Sequence, residues 1–130
     1  LRDSKGNSFN LSDFENEKVV VLEFMNMGCG SCHSFEKDVL KSYCNSTTMP
    51  EDVEVISLTQ TEDVSQEDLE ERAEGKNWAY VFGSEEMTDA FGADRSPSIV
   101  IIDKDGIVTF SESGPMTESE LKEKVDEALG

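Results

Sequence analysis

Apolar residues in this chain come in short runs, and the spacing within each run assigns it to a strand or a helix. Lys18 to Phe24 (KVVVLEF) is a continuous β-branched run broken by one acid, Glu23, as expected of a strand buried on both faces. Val53 to Leu58 (VEVISL) predicts a second core strand. Ile99 to Asp103 (IVIID) predicts a third, and Lys104-Asp105-Gly106 a hairpin turn leading into Ile107 to Phe110 (IVTF). Phe35, Val39, Leu40 and Tyr43 recur at helical spacing, which predicts a helix from about Gly30 to Cys44. Asp63 to Lys76 reads as an acidic helix opened by Ser65, with Asp68 three residues on. Thr117 to Leu129 reads as a final helix, with Thr117 and Glu120 as its capping box. Trp78 to Phe82 suits a short strand or an extended connector, and Ser84 to Phe91 a short helix ended by Gly92. The polar stretch Leu1 to Glu17 has a turn at Lys5-Gly6-Asn7 and alternating Phe9 and Leu11, the pattern of a short hairpin or edge strand. With no repeat, low-complexity segment or linker, residues 1–130 read as one α/β domain, a mixed sheet with helices on both faces.

Charge then narrows the function. The 130 residues include 29 acidic and 11 basic side chains, a net charge of −18. Apolar residues are 36% and charged residues 31% of the chain, a balance that would suit disorder if the apolar positions were not clustered. Such a chain cannot assemble the basic face that phosphate contacts need, so nucleic acid is excluded as a partner. An anionic membrane surface repels it, and its longest apolar run, Val19 to Leu22, is far too short to span a bilayer. Glu62 to Glu74 holds seven acids and one Arg, a solvated face that keeps the protein soluble and favours cationic partners; a high-salt source would also produce it.

The chemistry sits in Cys29-Gly30-Ser31-Cys32, directly after the first core strand and at the start of a helix. Unpaired N–H groups at a helix N-terminus stabilise a thiolate. Cys29, facing solvent, is placed to attack a disulfide, and Cys32, one turn inside, to resolve the mixed disulfide that forms. Gly30 lets the turn form tightly.

The segment Val21 to Cys32 (VLEFMNMGCGSC) resembles the active-site region of thioredoxin-fold thiol–disulfide oxidoreductases. Phe91 to Ile99 (FGADRSPSI) resembles their second signature, a cis-proline loop ahead of a strand. The opening Gly6 to Phe14 (GNSFNLSDF) and the insert after the second strand are similar to the TlpA/ResA-like, redoxin-type branch. The resemblance implies a thioredoxin fold with an N-terminal hairpin extension, exchange of a Cys29–Cys32 dithiol or disulfide with protein substrates, and a redox partner protein. It implies no metal and no organic cofactor. It makes Pro97 the cis-proline that presents backbone to an extended substrate strand, Ser96 a position that tunes redox behaviour, and Glu23 the buried acid that takes a proton from the second thiol. Gly28 and Ser31 stand where the family usually has Trp and often has Pro, which leaves the direction of the reaction open.

Other readings stand beside this one. The thioredoxin fold could serve as a protein-interaction module without turnover. A peroxiredoxin would want Thr three residues before the reactive cysteine, where this chain has Asn26. Cys29 to His33 (CGSCH) matches the c-type haem attachment pattern, although that site belongs in a small helical domain. A zinc site would need two more ligands, and only Cys44 and the poorly placed His33 remain. Glu23 could equally face water at a strand end; inside the apolar run its pKa would rise. His33 is expected to face solvent and Cys44 to pack in the core. The chain begins at Leu1, as expected of a trimmed or processed form, and the branch it resembles is mostly exported or tethered. It is therefore expected outside the cytoplasm, the cytoplasm being the alternative, and as a monomer.

Overall fold

The computed structural model describes residues 1–130. Its centre is a six-stranded mixed sheet in the order β1-β4-β3-β2-β5-β6. The strands are β1 (Arg2–Asp3), β2 (Val19–Met25), β3 (Val53–Thr59), β4 (Ala79–Phe82), β5 (Ser98–Ile102) and β6 (Val108–Ser113). β2 is buried along its whole length, as its β-branched run predicts, and lies parallel to β3 and antiparallel to β5. Strand alternation divides the core: Val19, Val21 and Met25 point to one face, and Val20, Leu22 and Phe24 to the other. Glu23 shares the parity of Val21 and Met25.

That first face is covered by α1 (Gly30–Phe35), a π-helical turn (Glu36–Leu40), α2 (Lys41–Asn45), α3 (Gln66–Ala73) and α5 (Glu118–Leu129). The opposite face is covered by Leu11 and Phe14 from a 3-10 turn (Leu11–Phe14), and by Met87 and Phe91 in and after α4 (Glu85–Ala90). The expected caps are present. Ser65 accepts from the Asp68 N–H, and Thr117 and Glu120 form a reciprocal capping box.

Four elements differ from their expected form. The helix expected over 30–44 is three segments, because the π turn accommodates one extra residue between Phe35 and Leu40. α3 is shorter than 63–76: Glu74 already leaves helical geometry and Gly75 follows at φ 76°. β6 runs on through Ser111, Glu112 and Ser113, an exposed edge whose pairing with β5 needs no apolar side chains. The N-terminus is both hairpin and edge strand. Leu1 and Phe9 exchange hydrogen bonds of 2.8 and 2.9 Å around a turn in which Gly6 has φ 88°, and Arg2–Asp3 pairs with β4. Gly83, after β4, approaches β3 so closely that a Cβ there would lie 1.9 Å from the Thr59 carbonyl oxygen.

Candidate active site

β2 delivers the chain to the end of the sheet at Met25, and four residues later Cys29 caps the N-terminus of α1. Cys29 and Cys32 are joined as a disulfide with Cα atoms 5.3 Å apart. The backbone N–H of Cys32 donates to Cys29 Sγ at 3.0 Å, so the first sulfur already occupies the position where an N–H would stabilise a thiolate. Ser31 Oγ lies 3.5 Å from the same sulfur. Exposure separates the two cysteines: Cys29 is half-buried and Cys32 is 0% exposed. Gly30 and His33 face solvent.

The Ser96–Pro97 bond is cis. The loop it belongs to is tied to the cysteine segment by Asn26, whose Nδ2 donates to Ser96 Oγ at 2.9 Å. Pro97 itself is buried.

Beneath the pair, on the face that also holds Cys32, lies a polar network inside the apolar core. Glu23 is 0% exposed. Its Oε1 accepts from Ser57 Oγ at 2.6 Å, and Ser57 Oγ in turn accepts from Trp78 Nε1 at 2.9 Å. Glu23 Oε2 receives no hydrogen-bond donor. Burial raises the Glu23 pKa well above its ordinary value; the neighbouring Glu36 raises it further, first by its charge and then by hydrogen bonding between the two carboxyls, against smaller lowering effects of Ser57 and Arg72.

Glu36, also 0% exposed, is held differently. Arg72 grips it with both arms, Nε to Oε1 at 2.8 Å and Nη2 to Oε2 at 2.9 Å, and Tyr80 donates to Oε1 at 2.5 Å. The Arg72 Nη1 reaches the Met27 carbonyl, two residues before Cys29, at 3.5 Å. Burial, then Glu36, raises the Tyr80 pKa, which keeps its hydroxyl a donor. Three donors thus converge on Glu36 and one on Glu23, and Glu23 is the carboxyl whose pKa is raised.

Sequence reasoning singled out Glu23 but not Glu36, Arg72, Tyr80, Ser57 or Trp78. Glu36 carried a signal, since it falls on the stripe Cys32, Glu36, Leu40, Tyr43 of the first helix. Arg72 was counted within the solvated acidic face, yet it is only 8% exposed. Cys44 sits at the core's edge rather than inside it, half-buried, with its thiol pushed up to about 12 by burial and by Glu54.

The Redoxin family model matches residues 1–129. No curated protein matches the chain. Among solved structures, the chain is similar to a pneumococcal exposed lipoprotein thioredoxin from Streptococcus pneumoniae, with 21% identity and TM-score 0.79 over 98% of this chain and 96% of that one. It is similar to a thiol-disulfide isomerase from Corynebacterium glutamicum, with 19% identity and TM-score 0.79 over 100% and 92%. The thioredoxin domain of a thiol-disulfide oxidoreductase from Bacteroides vulgatus gives 24% identity and TM-score 0.76 over 95% and 90%. These structures share the thioredoxin fold with this chain.

Proposed function

The chain belongs to the Redoxin family and is a thiol–disulfide oxidoreductase acting on protein thiols and disulfides; we propose that Cys29 attacks, Cys32 resolves and Glu23 accepts the proton that Cys32 gives up. The observation that carries this is the asymmetry of the pair, one sulfur reachable from solvent and one enclosed.

In the reducing direction the Cys29 thiolate attacks a substrate disulfide, forming a mixed disulfide and releasing one substrate thiolate. Cys32 then gives its proton to Glu23 and attacks Cys29 Sγ. This closes the Cys29–Cys32 bond and releases the second substrate thiolate, which takes up a proton. Two electrons pass from the dithiol to the substrate. The same steps reversed oxidise a substrate dithiol, and the potential difference against the partner selects the direction. The unpartnered Oε2 of Glu23 supports its role as acceptor, because a buried carboxyl oxygen without a donor is open to a proton. Ser96 and Pro97 form the edge that docks an extended partner chain, with Gly30 and Ser31 setting the environment of Cys29.

Residues 1–130 act as one domain and as a monomer, a reading supported by a net charge of −18 that repels a second copy. We place it outside the cytoplasm, in keeping with the branch it resembles and with the exposed lipoprotein of similar fold. No helix is long and apolar enough to cross a membrane. Equilibration with a graded thiol–disulfide buffer tests the central reading. A reversible two-electron couple between Cys29 and Cys32 is expected, and a pair that forms no reversible disulfide at any buffer ratio overturns it.

A further inference from the structure

Near the cysteines, outside the buried acids, Gln60 directly after β3 is bonded to three separate segments. Its backbone N–H donates to the Met25 carbonyl at 2.8 Å, continuing the sheet past the end of β2. Its side-chain Nε2 donates to the carbonyls of Ala93 at 2.7 Å and Arg95 at 2.9 Å. Its own carbonyl accepts from Thr88 Oγ1 at 2.9 Å. Asn26 stands against the same amide, its Nδ2 donating to Gln60 Oε1 at 3.5 Å and to Ser96 Oγ at 2.9 Å. The Asn26 carbonyl accepts from the Cys29 N–H at 3.2 Å. Two neutral amides thus connect the segment entering Cys29 to the loop that carries Ser96 and Pro97.

We propose that Asn26 and Gln60 are positioning residues that hold the Ser96–Pro97 loop in register with Cys29 and thereby set the affinity for extended protein substrates. This rests on the reading that the loop docks the partner chain. An extended substrate must satisfy two contacts at once, its backbone on the loop and its sulfur at Cys29. The distance between those contacts belongs to the protein, and a loop free to shift would have to be ordered by the substrate at a cost in affinity. Gln60 ties the loop down through two carbonyls, and Asn26 ties Ser96 to the residues leading into Cys29. A small disulfide makes only the sulfur contact and does not sense the spacing.

The test uses the full chain with Gln60→Met, which keeps the side-chain length and removes the amide, and Asn26→Ala at an exposed position. Insulin is the extended substrate and hydroxyethyl disulfide the small one, with dithiothreitol as electron source. Gln60→Met is expected to raise KM for insulin about tenfold, the effect of losing two ordinary hydrogen bonds, and Asn26→Ala about threefold. In both variants kcat, the rate with hydroxyethyl disulfide and the Cys29–Cys32 potential stay at wild-type values. An unmoved insulin KM in both variants overturns the proposal. So does an equal loss with both substrates accompanied by a shifted potential, which would make the amides part of the sulfur environment. Ser96→Phe, which puts bulk on the docking edge, separates the two levels of the argument. If it leaves the insulin KM unchanged, the docking reading itself fails and the positioning role falls with it. If it raises KM while Gln60→Met and Asn26→Ala do not, the positioning role alone fails.

Discussion

Arg72→Met isolates the contribution of the buried pair beneath the cysteines. Arg72 and Glu36 have side chains 6% and 0% exposed, joined by two charge-assisted bonds. Removing one partner of such a pair leaves the other charge uncompensated in a low-dielectric interior, at a cost of about 3–5 kcal/mol. Total stability of a domain is about 5–15 kcal/mol, so the loss is a large fraction of it. For 130 residues the unfolding entropy is about 0.27 kcal/mol/K, which converts the loss into a Tm lower by about 11–18 °C. Met keeps much of the side chain's length, so the effect is not mainly one of lost packing.

The decisive comparison is the double variant Glu36→Leu with Arg72→Met. Replacing both members of a buried pair by apolar side chains is often neutral or stabilising. Here Tyr80 loses its acceptor, at about 1–3 kcal/mol for a buried orphaned hydroxyl. The double variant should still recover about 2 kcal/mol relative to Arg72→Met alone. Urea midpoints at pH 7, with m-values confirming two-state unfolding, measure all three proteins. A loss below about 1 kcal/mol in Arg72→Met, or a double variant no more stable than the single one, would refute the reasoning that an orphaned carboxylate is the cost.

Three further outcomes are expected. Cys32→Ser should trap a mixed disulfide at Cys29 that is visible by mass spectrometry, whereas Cys29→Ser should trap none, because Cys32 is enclosed; equal trapping by both would reject the assignment of roles. Glu23 has a folded pKa raised above its ordinary 4.5, so the stability it contributes is present below that value and is lost as pH rises through the raised one. Glu23→Gln removes this slope and should gain on the wild type as pH increases; parallel stability curves from pH 4 to 9 would contradict it. Gly83→Ala forces a Cβ against the Thr59 carbonyl and should cost about 1–3 kcal/mol in a thermal melt, an unchanged Tm being the contrary result.

Much of this architecture is visible along the chain, because each core element carries its own periodicity. β2 could be read from Val19-Val20-Val21-Leu22, α5 from Thr117 and Glu120, and the hairpin from Lys104-Asp105-Gly106. The site divides differently. The cysteine pair and Ser96–Pro97 are local signatures, and Glu23 stands out because an acid interrupts an apolar run. Arg72 sits among seven acids and looks solvated until α3 packs against the first helix. Glu36 lies 36 residues from Arg72 and 44 from Tyr80 along the chain, so no local window contains the network. Gln60 and Asn26 are equally silent, since an amide signals nothing until the loops it joins are side by side.

The division of donors between the two buried acids leads to a last expectation. Two carboxyls that interact strongly titrate as a pair, and which of them holds the proton depends on their partners. The chain places one of its 11 basic residues, Arg72, inside the core, where it and Tyr80 bond to Glu36 rather than to Glu23. Glu23 is left with a raised pKa whose causes are burial first and the Glu36 charge second. Glu36→Gln removes that like charge and frees Arg72, which already lowers the Glu23 pKa; both changes act in the same direction. The Glu23 carboxyl, followed by carbon NMR across pH, should therefore titrate closer to its ordinary value in Glu36→Gln. The pH midpoint for resolution of the mixed disulfide should move down with it. An unmoved Glu23 titration would mean that burial alone sets its proton affinity, and Arg72 and Tyr80 would then be structural supports for α3 and β4 with no part in the proton's path.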